Sequence, residues 1–223
     1  MEKQQRGKEG GASALRGVQR IEVVSINDLR AALERSKEAS VTIEFAGKDI
    51  TFTRHTNPDK SLGGWKADTA TVDPTAIVRE GTIVMPGATI GPGATIGPRA
   101  TIGPDVTIGE RVQIRFVAQI GDGATIRDGA IIGPGASIGD RVDIGAYARI
   151  HSDAQIGDSA TIGPGATIRS NAQIGDLATI GYRATIGERV QIGAYAIIGP
   201  DATIGPGTQI GDSVHIAPEA TVP

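Results

Sequence analysis

Ala88-Thr89-Ile90-Gly91-Pro92-Gly93 is followed by Ala94-Thr95-Ile96-Gly97-Pro98-Arg99 and then by Ala100-Thr101-Ile102-Gly103-Pro104-Asp105. These hexads share one plan: small, polar, aliphatic, glycine, and two variable residues. The aliphatic position recurs at every sixth residue from Val72 to Val222, through 26 hexads without a slip. A short fixed period is the mark of a solenoid. The small and aliphatic residues, two apart, point to one side of an extended chain, and the polar residue between them points to the other. Each hexad therefore predicts a short strand and a three-residue corner, with Gly and Pro placed where unusual φ values are needed. A helix is excluded, because a six-residue period with a glycine in nearly every repeat matches no 3.6-residue stripe. Three strands and three corners close a triangular coil of 18 residues. Successive coils pair in parallel, roughly 4.8 Å apart.

This pattern resembles the hexapeptide-repeat family. The resemblance implies a left-handed parallel β-helix, here of about eight coils, although parallel crossovers are in general right-handed. It also implies a homotrimer with ligands in the clefts between subunits, and relatives that include acyltransferases and γ-class carbonic anhydrases. Fold does not fix function.

Composition narrows the classes. The chain has 223 residues, 32 Gly, 12 Pro and no Cys, so it has no disulfide framework and no thiolate chemistry. No apolar run approaches the ~20 residues of a membrane span, and nothing resembles a signal peptide. The expected location is the cytoplasm or a particle. Residues 67–223 carry ten Arg, no Lys and 16 acidic residues, against five basic and two acidic side chains in residues 1–20. An acidic solenoid argues against nucleic acid as a partner.

Residues 1–19 read as a disordered tail. Residues 20–54 read as a small β-α-β-β unit: a strand near Arg20–Val24, a helix capped by Ser25 and ending near Lys37, and a hairpin turning at Ala46-Gly47-Lys48-Asp49. Residues 55–66 read as a linker and N-terminal cap, with Trp65 as a lid on the first coil. The lead-in Leu62-Gly63-Gly64-Trp65 bears a likeness to segments ahead of the repeats in bacterial and phage hexapeptide proteins. The β-helix occupies 67–223. It carries no extruded loop, and its last coil is expected to present an open end.

Because a coil is 18 residues, every third hexad shares a face and every third corner an edge. The corner after Ile77–Val78 and its successors departs from the glycine plan with Arg79, Arg115, His151 and Arg169. Phe116, Arg149 and Asp153 lie beside them. Such a strip suits an anionic ligand held by charge-assisted hydrogen bonds. It suits a solvated or inter-subunit salt-bridge strip better still. A metal triad of the carbonic-anhydrase kind is excluded, because His151 and His215 are three and a half coils apart, about 17 Å along the axis. What the resemblance to acyltransferases implies is His151 as general base, oriented by Asp153 or Asp143, with Arg115 and Arg169 on donor phosphates.

Three readings follow. The first is a non-catalytic homotrimeric β-helix serving as a rigid structural or interaction module, with no cofactor or metal and with a protein partner at the N-terminal unit or the open end. The second is an acyltransferase using an acyl-CoA-like donor. The third is a binder of an anionic small molecule in the inter-subunit cleft, through Arg115, Phe116, Arg149, Asp153 and Arg169.

Overall fold

The computed structural model describes residues 22–23, 25–36 and 38–223. The tail expected over 1–19 lies outside these residues. The order of elements is β1 (Glu22–Val23), α1 (Ile26–Arg35), β2 (Ser40–Phe45), β3 (Lys48–Thr56), β4 (Leu62–Ala67), and then 26 two-residue strands from Thr71–Val72 to Thr221–Val222. Every hexad thus contributes one strand, as the period predicts.

The strands form three faces. The first face stacks nine strands, from Thr71–Val72 to His215–Ile216. The second stacks nine, from Ile77–Val78 to Thr221–Val222. The third stacks eight, from Ile83–Val84 to Gln209–Ile210, and continues into β4, β3, β2 and β1, which makes twelve strands in all. The count is therefore eight coils and most of a ninth, slightly more than the expected eight. Within the solenoid, pairing is parallel, with every residue opposite its equivalent 18 positions on, as in Thr101↔Gln119 and Ile102↔Ile120, whereas β2–β3 and β3–β4 pair antiparallel.

The interior is a column of the two residues each hexad turns inward. Ala94, Ile96, Ala100, Ile102, Val106 and Ile108 are all essentially inaccessible to solvent. Burying each Ile contributes roughly 2 kcal/mol. Each coil contacts only its neighbours, so stability accumulates coil by coil.

The corners differ from expectation in an instructive way. The positive φ is carried by the third corner residue, whatever its identity: Gly135 (φ 67°), but also Arg99 (59°), Asp153 (57°), Tyr147 (59°) and Val117 (60°). The glycine that follows the aliphatic residue has another reason to be there. A Cβ on Gly97 would stand 2.6 Å from the carbonyl carbon of Arg115 in the next coil. Close backbone approach excludes side chains at that position.

The N-terminal unit is fused to the solenoid. Ser25 caps α1, its Oγ accepting from Asp28 N–H at 3.1 Å. Ala46 and Gly47, both at positive φ, form the two-residue turn between β2 and β3. Residues 55–66, expected as linker, are largely strand: β3 runs to Thr56 and β4 starts at Leu62. β4 pairs in parallel with the first third-face strand, Trp65↔Ile83. Trp65 therefore projects on the outer side of the sheet with Ile83, not over the lumen as a lid. Phe52 lies opposite Ala67 on that side, and Leu29 and Leu33 of α1 complete the buried cluster. Across the edge of the first coil lie His55, whose Nε2 is 3.4 Å from Ala76 O, and Asn57, whose Oδ1 accepts from Val78 N–H at 2.9 Å. Gly63 and Gly64 let β4 pass close against Val78 O and Thr82 O. That is the structural use of the Leu62-Gly63-Gly64-Trp65 lead-in. Arg30 of α1 donates to Gly81 O and, at 2.8 Å, to Thr101 Oγ1.

Candidate functional site

The corner after the second face gathers the predicted residues onto one edge. Backbone hydrogen bonds stack it coil on coil: Gly97 N–H donates to Ile114 O, Arg115 N–H to Ile132 O, Gly133 N–H to Ile150 O and His151 N–H to Ile168 O. Arg115, His151 and Arg169 therefore project from one edge, at the third, fifth and sixth coils. Arg149 stands beside them on the second face, in register with Ile131 and Thr167. All are exposed.

The strip is not one pocket. Arg115 and Phe116 border a shallow hollow of about 400 Å³ with Pro98, Arg99, Gln113 and Val117. His151 lies two coils further on, roughly 10 Å away, outside that hollow. Phe116 is 54% exposed, a large apolar surface in water. Val117 beside it is β-branched at φ 60°, a conformation that costs such residues strain.

The predicted partners of His151 are turned elsewhere. Arg127 clamps Asp143 with two hydrogen bonds, Nε–Oδ1 at 2.9 Å and Nη2–Oδ2 at 2.7 Å. That bidentate pair holds the Arg127 guanidinium above its ordinary pKa. The Asp153 carboxylate folds back over Gly135 of the preceding coil. Among the described residues, no hydrogen bond or ion pair joins His151 to a carboxylate. Among the described residues, no three metal-ligating side chains converge.

A second edge escaped sequence reasoning. The corner after the third face stacks Asp122, Asp140, Asp158 and Asp176 at successive coils. Each of the last three accepts through Oδ1 from the backbone N–H of the aspartate one coil earlier, at 2.8, 2.8 and 2.9 Å. Asp212 does the same for Ala194 N–H. Burial, then the charges of Asp140 and Asp105, push the Asp122 carboxyl above the usual carboxylate range. The signal was present in the sequence, as Gly-Asp at 121–122, 139–140, 157–158 and 175–176. Beside this edge runs an open groove lined by Gln155, Gln173, Gln191 and Gln209. A cleft between α1, β3 and the first coils, bordered by Glu34, Glu38, Glu80, Arg54 and Arg99, was likewise unforeseen. There the Arg54 guanidinium lies 5.1 Å from the Trp65 ring centroid.

Comparison with known proteins agrees with this architecture. The model of the family described as bacterial transferase hexapeptide (six repeats) matches residues 87–116, 118–152, 153–188 and 189–223. No curated protein matches. Among solved structures, the UDP-N-acetylglucosamine acyltransferase of Arabidopsis is 21% identical, with a TM-score of 0.54 over 69% of this chain and 64% of its own. That of Francisella novicida is also 21% identical, with a TM-score of 0.51 over 70% of this chain and 62% of its own. This chain thus spans less than two thirds of the length of either. At such identity the likeness shows the fold, a left-handed parallel β-helix. No described helix is long and apolar enough to cross a membrane.

Proposed function

The chain belongs to the bacterial transferase hexapeptide family, and on that premise we propose that it is a homotrimeric β-helix serving as a rigid structural or interaction module. The observation that carries this reading is the unbroken register of the three faces. No corner extrudes a loop, so the solenoid invests its length in stiffness and not in a lid or a shaped cavity. The N-terminal unit, continuous with the third face, is the attachment element, and its partner is a protein. The acidic solenoid disfavours nucleic acid. Light scattering tests the first half of the reading: a mass of one chain at micromolar concentration overturns the trimer. Thermal-shift screening against acyl-CoA and nucleotide libraries tests the second, with no stabilisation expected.

The family favours a second reading, an acyltransferase with an acyl-CoA-like donor. Arg115, His151 and Arg169 on one edge would then supply donor contacts and a base, with Phe116, Arg149 and Asp153 near them. A third, related reading is capture of an anionic metabolite on the same strip. Acyl transfer that survives His151→Ala with every acceptor removes His151 as the base, and absence of stabilisation by any acyl-CoA or other anion removes both readings.

A further inference from the structure

The two charged edges of this solenoid have opposite sign and matching heights. Arg115 and Asp122 belong to the same coil, as do His151 and Asp158, and Arg169 and Asp176. Within each pair the residues are seven apart, a little over a third of a coil, which puts them within about 2 Å of the same height. They stand on different edges of the triangle, one at each side of the third face, so a single chain cannot bring them together. A rotation about an axis parallel to the solenoid preserves height and can.

We infer that the basic edge of one subunit docks on the aspartate edge of a second copy of this chain, closing a ring of three in which the edge between the first and second faces lies at the axis. The inference rests on the homotrimeric reading above and specifies its surface. Three observations select this orientation. First, α1 is anchored on the outer side of the third face through Arg30 and Thr101, so that face must point away from the axis. Second, the edge left to line the axis carries Tyr147, 66% exposed, and Tyr182, 45% exposed, while the two rims of the contact carry Phe116, 54% exposed, and Tyr195, 59% exposed. Exposed aromatics of this kind anchor interfaces. Third, with that edge inward, the first face of each subunit meets the second face of the next. The outer rim of each contact then joins an aspartate edge to a basic edge.

The chemistry is complementary. Asp140, Asp158 and Asp176 each spend Oδ1 on the preceding coil's backbone, and their Oδ2 atoms make no hydrogen bond among the described residues. The side chains of Arg115, His151 and Arg169 likewise make none. An arginine across the rim meets a carboxylate that is already fixed in place, and like charges stacked along each column gain counter-charges. The contact is heterologous and closes at three.

Charge reversal tests the surface on the full chain, with mass read by light scattering and folding by circular dichroism. Wild type is expected at three times the chain mass. Arg115→Glu with Arg169→Glu, and separately Asp122→Lys with Asp176→Lys, are expected to fall to a single chain mass with β-sheet retained. All four substitutions together recreate opposite charges across every contact and are expected to return the mass to three chains. A wild-type trimer whose mass neither two-residue variant changes overturns the docking surface while leaving the trimer standing. Dissociation that the fourfold variant does not reverse overturns it as well. A wild-type monomer overturns the homotrimeric reading itself, and the docking with it.

Discussion

Gly133 lies flat against His151 of the next coil: a Cβ on Gly133 would stand 2.6 Å from the His151 carbonyl carbon and 2.7 Å from Ser152 N. Backbone atoms on both sides cannot step aside as a flexible side chain would. Gly133→Ala is therefore expected to push the adjoining coils apart locally and to cost about 1–3 kcal/mol. Urea unfolding should show the loss as a lower midpoint at unchanged slope.

Val117 presents the opposite case. Its φ of 60° suits glycine or asparagine, and its side chain is 43% exposed, so little packing offsets the strain. Val117→Asn is expected to raise stability by about 1 kcal/mol, seen as a higher thermal midpoint. An unchanged midpoint would show that the corner relaxes the strain elsewhere.

Arg30 ties α1 to the third face across 71 residues of chain, through Thr101 Oγ1 and Gly81 O. Burial holds its guanidinium below the ordinary arginine pKa, which marks a partly desolvated, hydrogen-bonded cation. Arg30→Ala is expected to cost about 1–3 kcal/mol. Hydrogen exchange should quicken in Ile26–Arg35 while amides of the middle coils keep their protection.

His55 is buried at the edge of the first coil, and burial is the main cause that lowers its pKa, with Lys66 adding to it and the bond to Ala76 O opposing it. The sign follows directly. The unfolded chain takes up a proton near pH 6.5, whereas the folded chain resists until lower pH. The contribution is therefore fully present above about pH 6.5 and is lost as pH falls toward the folded value. The thermal midpoint is expected to drop between pH 7.5 and 5.5, with a shallower slope in His55→Gln.

The hexads disclosed the faces, the ladders and the inward column, because period six leaves one way to bury Ile and Ala together. Pairs such as Thr107↔Thr125 and Gln155↔Gln173 fall where the 18-residue coil places them. The corners were only partly legible. Glycine was tied to unusual φ, yet Gly97 and Gly133 serve close approach, and the left-handed residues are as often Arg, Asp or Tyr. Local propensity could not reveal that, since the coil as a whole imposes the turn. Residues 55–66 misled for a similar reason. Pro58 and the polar run look like a linker, but the edge of the first coil offers β4 a template that no local signal announces. The basic edge was visible as departures from glycine. The aspartates kept to the glycine plan, and so escaped notice.

The fixed coil gives the chain an arithmetic of insertion. Adding or removing 18 residues between coils would change the height by one step of about 4.8 Å and leave every ladder and edge aligned. Adding or removing six would turn everything downstream by a third of a revolution. Arg169 would then leave the edge of Arg115 for another, and the Gly-Asp column would be split. A hexapeptide chain can thus change length freely only in threes of its repeat, and its surface chemistry is inherited in units of one whole turn.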